Sequence, residues 1–438
     1  MLIIKIETST TLTSADRALT NAIAGNDIDV LAKTRQSLYD FDDHFSVETK
    51  KQSITNQKSS GRCWMFSGLN VLRGSFHTRQ DSAVINFSQD YLFFYDQLEK
   101  ANLFLQAIID NAKDDIESQI NNFLFKNPLN DGGTFCGVAD LTAKYGVVPA
   151  EVCPETYSAN NTTRMSRLIS RKLREQGLEL RKMVAAKKKP ADIQKRKTEM
   201  LGVVYRMLVL TLGEPVKEFT YAFRDASGKQ LGEPKTYTPQ SFYKEVCGEP
   251  LQGTYVMIMN DPHRPYHKTY EIPYDRHTYD GQNWVYLNLP MDEIKPLLIA
   301  SLQDGKKMYT SYDVGKDSDR KRGLGDLALY DYASLMGTDF PMTKAERIQT
   351  FDSGSTHAMT LNAVDIDKNG KTVKWEVENS WGAESCHQGY FIMTDEWFDE
   401  YFFRAVIDKK YIPAPLMTLW EQKPQMLSIE DPMFSCDD

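Results

Sequence analysis

The chain has no apolar run near the roughly 20 residues that a bilayer-spanning helix needs, so a membrane-embedded helical protein is excluded. Its opening, Met1-Leu2-Ile3-Ile4-Lys5-Ile6, is too short for the apolar region of a secretory leader and lacks the basic start and small-residue exit. A cytoplasmic protein is expected. Cysteine is sparse: the six residues at 63, 136, 153, 247, 386 and 436 include no Cys-x-x-Cys pair. In a reducing compartment they are expected as free thiols, which leaves a reactive one available. A glycine-rich phosphate loop is missing, which disfavours nucleotide-dependent chemistry. So is His-Glu-x-x-His; His263 and His267 have i, i+4 spacing and His277 follows, but Pro262 and Pro265 break any helix through them. No metal site is expected. Basic residues are fewer than acidic ones, 52 against 60, and the net charge of −8 argues against general nucleic-acid binding.

What the chain does have is core-forming material. Its 438 residues are 41% hydrophobic and 11% aromatic, enough for two or three domains' worth of interior. Residues 1–50 read as an N-terminal arm with helical spacing at Ala18, Leu19, Ala22 and Ile23. Residues 51–160 read as helical, 161–250 as a mainly helical insertion, 251–410 as β-rich and 411–438 as an extended tail with little periodicity. Within 164–200, thirteen Lys or Arg face four Asp or Glu, and Pro190 divides the run into a pair of surface helices. A solvated helical face is the plainer reading; a nucleic-acid or assembly surface is the other.

The most informative segment is Thr55-Asn56-Gln57-Lys58-Ser59-Ser60-Gly61-Arg62-Cys63-Trp64-Met65-Phe66. Ser59, Ser60 and Gly61 are loop and cap residues, and Met65, Leu69 and Leu72 then recur at helical spacing. Cys63 therefore belongs at a helix N-terminus, where unpaired N–H groups and the macrodipole favour a thiolate. A histidinium nearby would favour it further. Gln57, six residues upstream, can donate its amide to an oxyanion, with the Cys63 N–H as second donor.

Thr356–Val364 and Thr372–Glu378 are strand-compatible and flank the turn Asp367-Lys368-Asn369-Gly370. By the two-residue period His357, Met359, Leu361 and Ala363 share one face. Antiparallel pairing sets His357 opposite residues 379–382, so Asn379 can orient the imidazole and leave its other nitrogen to Cys63.

The Cys63 segment resembles the nucleophile region of papain-like cysteine peptidases, and specifically the bleomycin hydrolase and aminopeptidase C branch. Asn86 to Asp96, Lys144 to Pro149, Pro154-Glu155-Thr156-Tyr157 and Asn379-Ser380-Trp381-Gly382 continue the likeness. The resemblance implies an α+β, two-part fold: a helical half with Cys63 and a β-barrel-like half with His357 and Asn379, enlarged by helical insertions and a C-terminal tail. It implies peptide substrates, no cofactor and a homo-hexamer. It makes Cys63 the nucleophile, His357 the base, Asn379 its orienting partner, and Trp381 a shield for the His–Asn bond at the substrate cleft. Gly132 and Gly133 would line that cleft and bond an extended peptide. The tail would place the carboxylate of Asp438 against the substrate's amine, giving an aminopeptidase. Asp431-Pro432-Met433 matches the family's tail, but Phe434-Ser435-Cys436-Asp437-Asp438 departs from its small apolar ending. A displaced tail would instead give an endopeptidase or oligopeptidase. A nucleic-acid-binding scaffold is the remaining alternative, motivated by residues 164–200.

Overall fold

The structure, a computed structural model, describes Ile3, Ile6 and residues 12–35, 42–79, 82–247 and 250–433. Helices dominate the first half and strands the second. The arm carries helix Ser14–Gly25, closed at its start by a capping box between Thr13 and Asp16. No residue of that helix is buried.

Helix Cys63–Arg79 starts directly after the Ser-Ser-Gly loop, and residues 62–74 are all buried. A helix surrounded on every side is expected to be mostly apolar or small, and within 63–74 this one is, apart from the buried Asn70 and Arg73. Gly68 allows helix Phe135–Tyr145 to approach closely, since a Cβ there would lie 2.6 Å from Val138 Cγ2. Helix Gln89–Asp110, capped by Ser88, completes the packing.

The basic stretch forms helices Thr162–Ala185 and Pro190–Leu212, with Pro190 in the first turn, where its missing N–H costs nothing. One face of each is buried through Ile169, Leu173 and Leu180 and through Met200, Val204 and Leu208. Several cations already have partners. Arg196 donates to Glu179 and Glu199 at 2.7 and 3.0 Å, while Arg174 and Arg181 donate to backbone carbonyls. The stretch 161–250 also contains the hairpin Phe219–Asp225 and Gln230–Tyr237, which joins Ala83–Val84 in a three-stranded sheet.

Among the described residues the second half supplies eleven strands of a twelve-stranded mixed sheet, and Val47–Glu48 adds the twelfth beside His357–Ile366. Strand His357–Ile366 is antiparallel to both Met308–Tyr312 and Thr372–Glu378. The strands expected near 254–258 and 284–287 are Tyr255–Met259 and Val285–Asn288, paired in parallel. The expected single face of His357, Met359, Leu361 and Ala363 is interrupted by a register shift between Leu361 and Ala363. Residues 357–364 are buried on both sides, because the sheet separates two cores. Ala358 packs with the helical core around Trp64 and Leu92, while Met359 and Leu361 pack with Trp375, Trp397 and Phe398.

The segment expected to be an extended tail contains helix Ala414–Trp420 and strand Gln425–Met426, which pairs with Lys268–Glu271. The helix is too short for its periodicity to show in the sequence, and prolines stand at its start, with Pro413 as the N-cap.

Candidate active site

The loop before Cys63 is added edge-on to the asparagine motif. Gln57 N–H donates to Ser380 O at 2.8 Å, and Gly382 N–H donates to Thr55 O at 3.0 Å. The Gln57 side chain is held at both ends. Its Oε1 accepts from Ser380 Oγ at 2.6 Å and its Nε2 donates to Ser60 O at 2.6 Å. An amide nitrogen carries two hydrogens, so one remains for another acceptor. On the other side Gly61 N–H donates to Asp131 Oδ2 at 2.7 Å, and Trp64 Nε1 donates to Asp131 O at 2.8 Å. The first turn of the Cys63 helix is thus clamped between residues 380–382 and the loop at 131.

Cys63 is the first residue of its helix and is 4% exposed. Its Sγ accepts from the N–H of Ala358 at 3.5 Å, which brings the sulfur against the backbone next to His357 across 295 positions of chain. The His357 ring is buried, and its Nε2 lies 2.8 Å from Asn379 Oδ1. A carbonyl oxygen only accepts, so the proton sits on Nε2 and Nδ1 is left to exchange one. Asn379 Oδ1 also accepts from Ser380 N–H at 2.7 Å, and its Nδ2 donates to Cys386 Sγ at 3.7 Å.

Trp381 stacks on the imidazole, with centroids 4.7 Å apart and planes at 29°. It covers the His–Asn bond on that side. Burial pushes the His357 pKa down to about 4; Asn379 opposes this, and the positive charge of Arg320 adds to it. That burial disfavours a histidinium beside Cys63 in the resting site.

Gly132 and Gly133 line a cavity of about 140 Å³, with Thr134, His277, Ser355 and Arg404 among its other walls. Ser355, one of these walls, stands two residues before His357 in the chain. A Cβ at Gly133 would lie 2.1 Å from His277 Cε1 and 2.8 Å from Trp64 Cε2, so packing alone demands glycine there. Asp438 lies outside the described residues. Before it, Met433 is buried, its carbonyl accepts from Arg404 Nη2 at 3.0 Å, and Asp431 is paired with Arg264. The tail is therefore anchored on the residue that also walls the cavity. The three histidines weighed for zinc have separate partners: His263 has Asp261, His267 has Glu293 and His277 has Asp96.

The Peptidase C1-like family model matches residues 3–434. The chain belongs to that family. Aminopeptidase C of Lactobacillus delbrueckii subsp. lactis is 37% identical over 404 residues, 92% of this chain and 89% of that protein. Bleomycin hydrolase of Homo sapiens is 38% identical over 398 residues, 89% of this chain and 87% of that one. The crystal structure of PepW from Lactobacillus rhamnosis HN001 superposes with a TM-score of 0.93 at 37% identity, covering 98% of this chain and 97% of that chain. The fold is the papain-like peptidase fold with mixed helices and sheets, and the chain is a papain-like cysteine peptidase.

Within this peptidase, charged residues invisible to the motif reading support the site. Arg62, fully buried, is bidentate to Glu155 and lies over Phe66 and Phe93. Arg73, on the Cys63 helix, donates to Glu378 Oε1 at 2.6 Å, and Lys307 donates to its other oxygen at 2.7 Å. Glu378 directly precedes Asn379, so this buried charged trio ties the Cys63 helix to the strand that leads into Asn379. Breaking such a pair costs about 3–5 kcal/mol. An arginine amid the mainly apolar run 63–74 was the available signal for Arg73.

Proposed function

We propose that the chain is a cysteine-type aminopeptidase that removes N-terminal residues from peptides through a thioester. The single observation that carries the chemistry is the buried contact of the Cys63 sulfur with the backbone of Ala358, beside an imidazole whose other nitrogen is held by Asn379. His357 Nδ1 takes the thiol proton as sulfur attacks the scissile carbonyl and the C–S bond forms. The second Nε2 hydrogen of Gln57 and the Cys63 N–H hold the oxyanion. His357 returns the proton to the leaving amine as the C–N bond breaks. It then deprotonates water, which attacks the thioester and releases the acid and the thiol.

The relatives named aminopeptidase C support cleavage at a free N-terminus. So does the anchoring of Asp431 and Met433, which starts the last five residues at the wall of the cleft. Asp437 and Asp438 are the carboxylates that the sequence offers for the substrate's ammonium group, and Gly132 and Gly133 offer the backbone edge on which its first residue lies. The large sheet is taken as the barrel-like half of the papain fold, and a cytoplasmic homo-hexamer remains the assembly implied by the family resemblance.

The test compares one peptide with a free and an acetylated N-terminus. The aminopeptidase cleaves the free peptide and leaves the blocked one largely intact. Internal cutting of both at similar rates favours an endopeptidase with an open cleft.

A further inference from the structure

A second buried histidine stands behind the cleft and has no part in the chemistry above. His277 is 2% exposed, and its Nδ1 lies 2.5 Å from Oδ1 of the fully buried Asp96. On its far side the backbone N–H of Thr134 donates to Nε2 at 3.2 Å. A nitrogen that accepts carries no proton, so the ring is neutral, with its hydrogen on Nδ1 and given to Asp96. The ring also lies 4.3 Å from that of Trp64, the neighbour of Cys63, and fills the space where Gly133 and Gly137 would carry side chains.

Asp96 holds the same loop by a second route. Its Oδ2 pairs with Lys100 Nζ at 3.1 Å, and Lys100 donates onward to Gly132 O at 2.6 Å. Burial alone would raise the Asp96 carboxyl, but the Lys100 charge and the hydrogen bonds from His277 and Gln97 outweigh it and hold it below the usual range. From one buried carboxylate, then, two arms reach the two ends of residues 132–134.

We propose that His277 is a positioning residue for substrate: it sets the placement of the Gly132–Thr134 edge through the Thr134 N–H and through the space it occupies under Gly133. It touches no reacting atom. The inference rests on the reading of Gly132 and Gly133 as the substrate-binding edge, not on which end of a peptide is cut. Both nitrogens must be served at once, one by an acceptor and one by a donor. A neutral carboxamide can do this and a methyl group cannot.

The test uses steady-state kinetics of the full chain, His277→Ala and His277→Gln, on the free and the acetylated peptide, with iodoacetamide alkylation of Cys63 as the readout of the nucleophile. His277→Ala is expected to raise KM about tenfold, as for loss of one or two buried hydrogen bonds. The value of kcat and the alkylation rate should stay within about twofold. His277→Gln should recover most of the KM. An Ala variant with wild-type KM overturns the proposal. So does one whose kcat and alkylation fall together at constant KM, and so does a Gln variant no better than Ala. Should His277→Ala not fold, Lys100→Met, which frees the other end of the same loop, must show the KM rise, and its absence there counts equally against the idea. The wild type's preference between the two peptides tests the aminopeptidase reading separately.

Discussion

Among the described residues two histidines, His357 and His277, are buried, and they have opposite kinds of partner. His357 faces a neutral amide through Nε2 and stacks on Trp381, and the N–H of its neighbour Ala358 meets the Cys63 sulfur. His277 faces a carboxylate and a backbone N–H, and both of its nitrogens are engaged. A carboxylate would be the stronger base-raising partner, yet it belongs to the ring with nothing left to exchange. Burial by itself does not make a histidine functional. An idle nitrogen next to a nucleophile does.

The contrast can be broken most forcefully at the uncommitted ring. His357→Gln should lower kcat/KM by about 10⁴-fold or more, since the general base and the leaving-group acid are lost together. Peptide hydrolysis kinetics check this, and a loss below tenfold would make the two histidines equivalent.

Acid stability sharpens it at smaller scale. The folded pKa of His357 lies near 4, below the model-compound value of 6.5, because its ring is buried. A depressed pKa contributes stability that is complete above about pH 6.5 and is lost as pH falls through the folded value, here about 3 kcal/mol. Urea unfolding of the wild type and of His357→Gln between pH 7 and pH 4 should therefore show a shallower slope in the variant. Parallel slopes would mean that the ring is not neutral in the folded state.

The site was readable where chemistry depends on local sequence. Ser59-Ser60-Gly61 before an apolar helical run marks the start of the Cys63 helix, and Asn369-Gly370 sets the hairpin that brings Asn379 to His357. The partner distances that matter elsewhere have no local signature. Asp96 and His277 are 181 residues apart, and Arg73 and Glu378 are 305 apart. The register shift at Asn362 follows from packing on two cores, which no alternation of residue types announces. Helix Ala414–Trp420 was missed because seven residues are too few to show a helical period. His277 falls in an irregular segment, where a histidine has no periodic context to say what it faces.

The pairing of sulfur 63 with imidazole 357 is tested most directly by mass-mapped iodoacetamide labelling across pH, in the wild type and in His357→Gln. Cys63 should be the fastest-labelled thiol in the wild type at pH 6, and its rate should fall by at least about tenfold in the variant while the other cysteines are unchanged. Labelling of Cys63 that is indifferent to residue 357 would contradict the account.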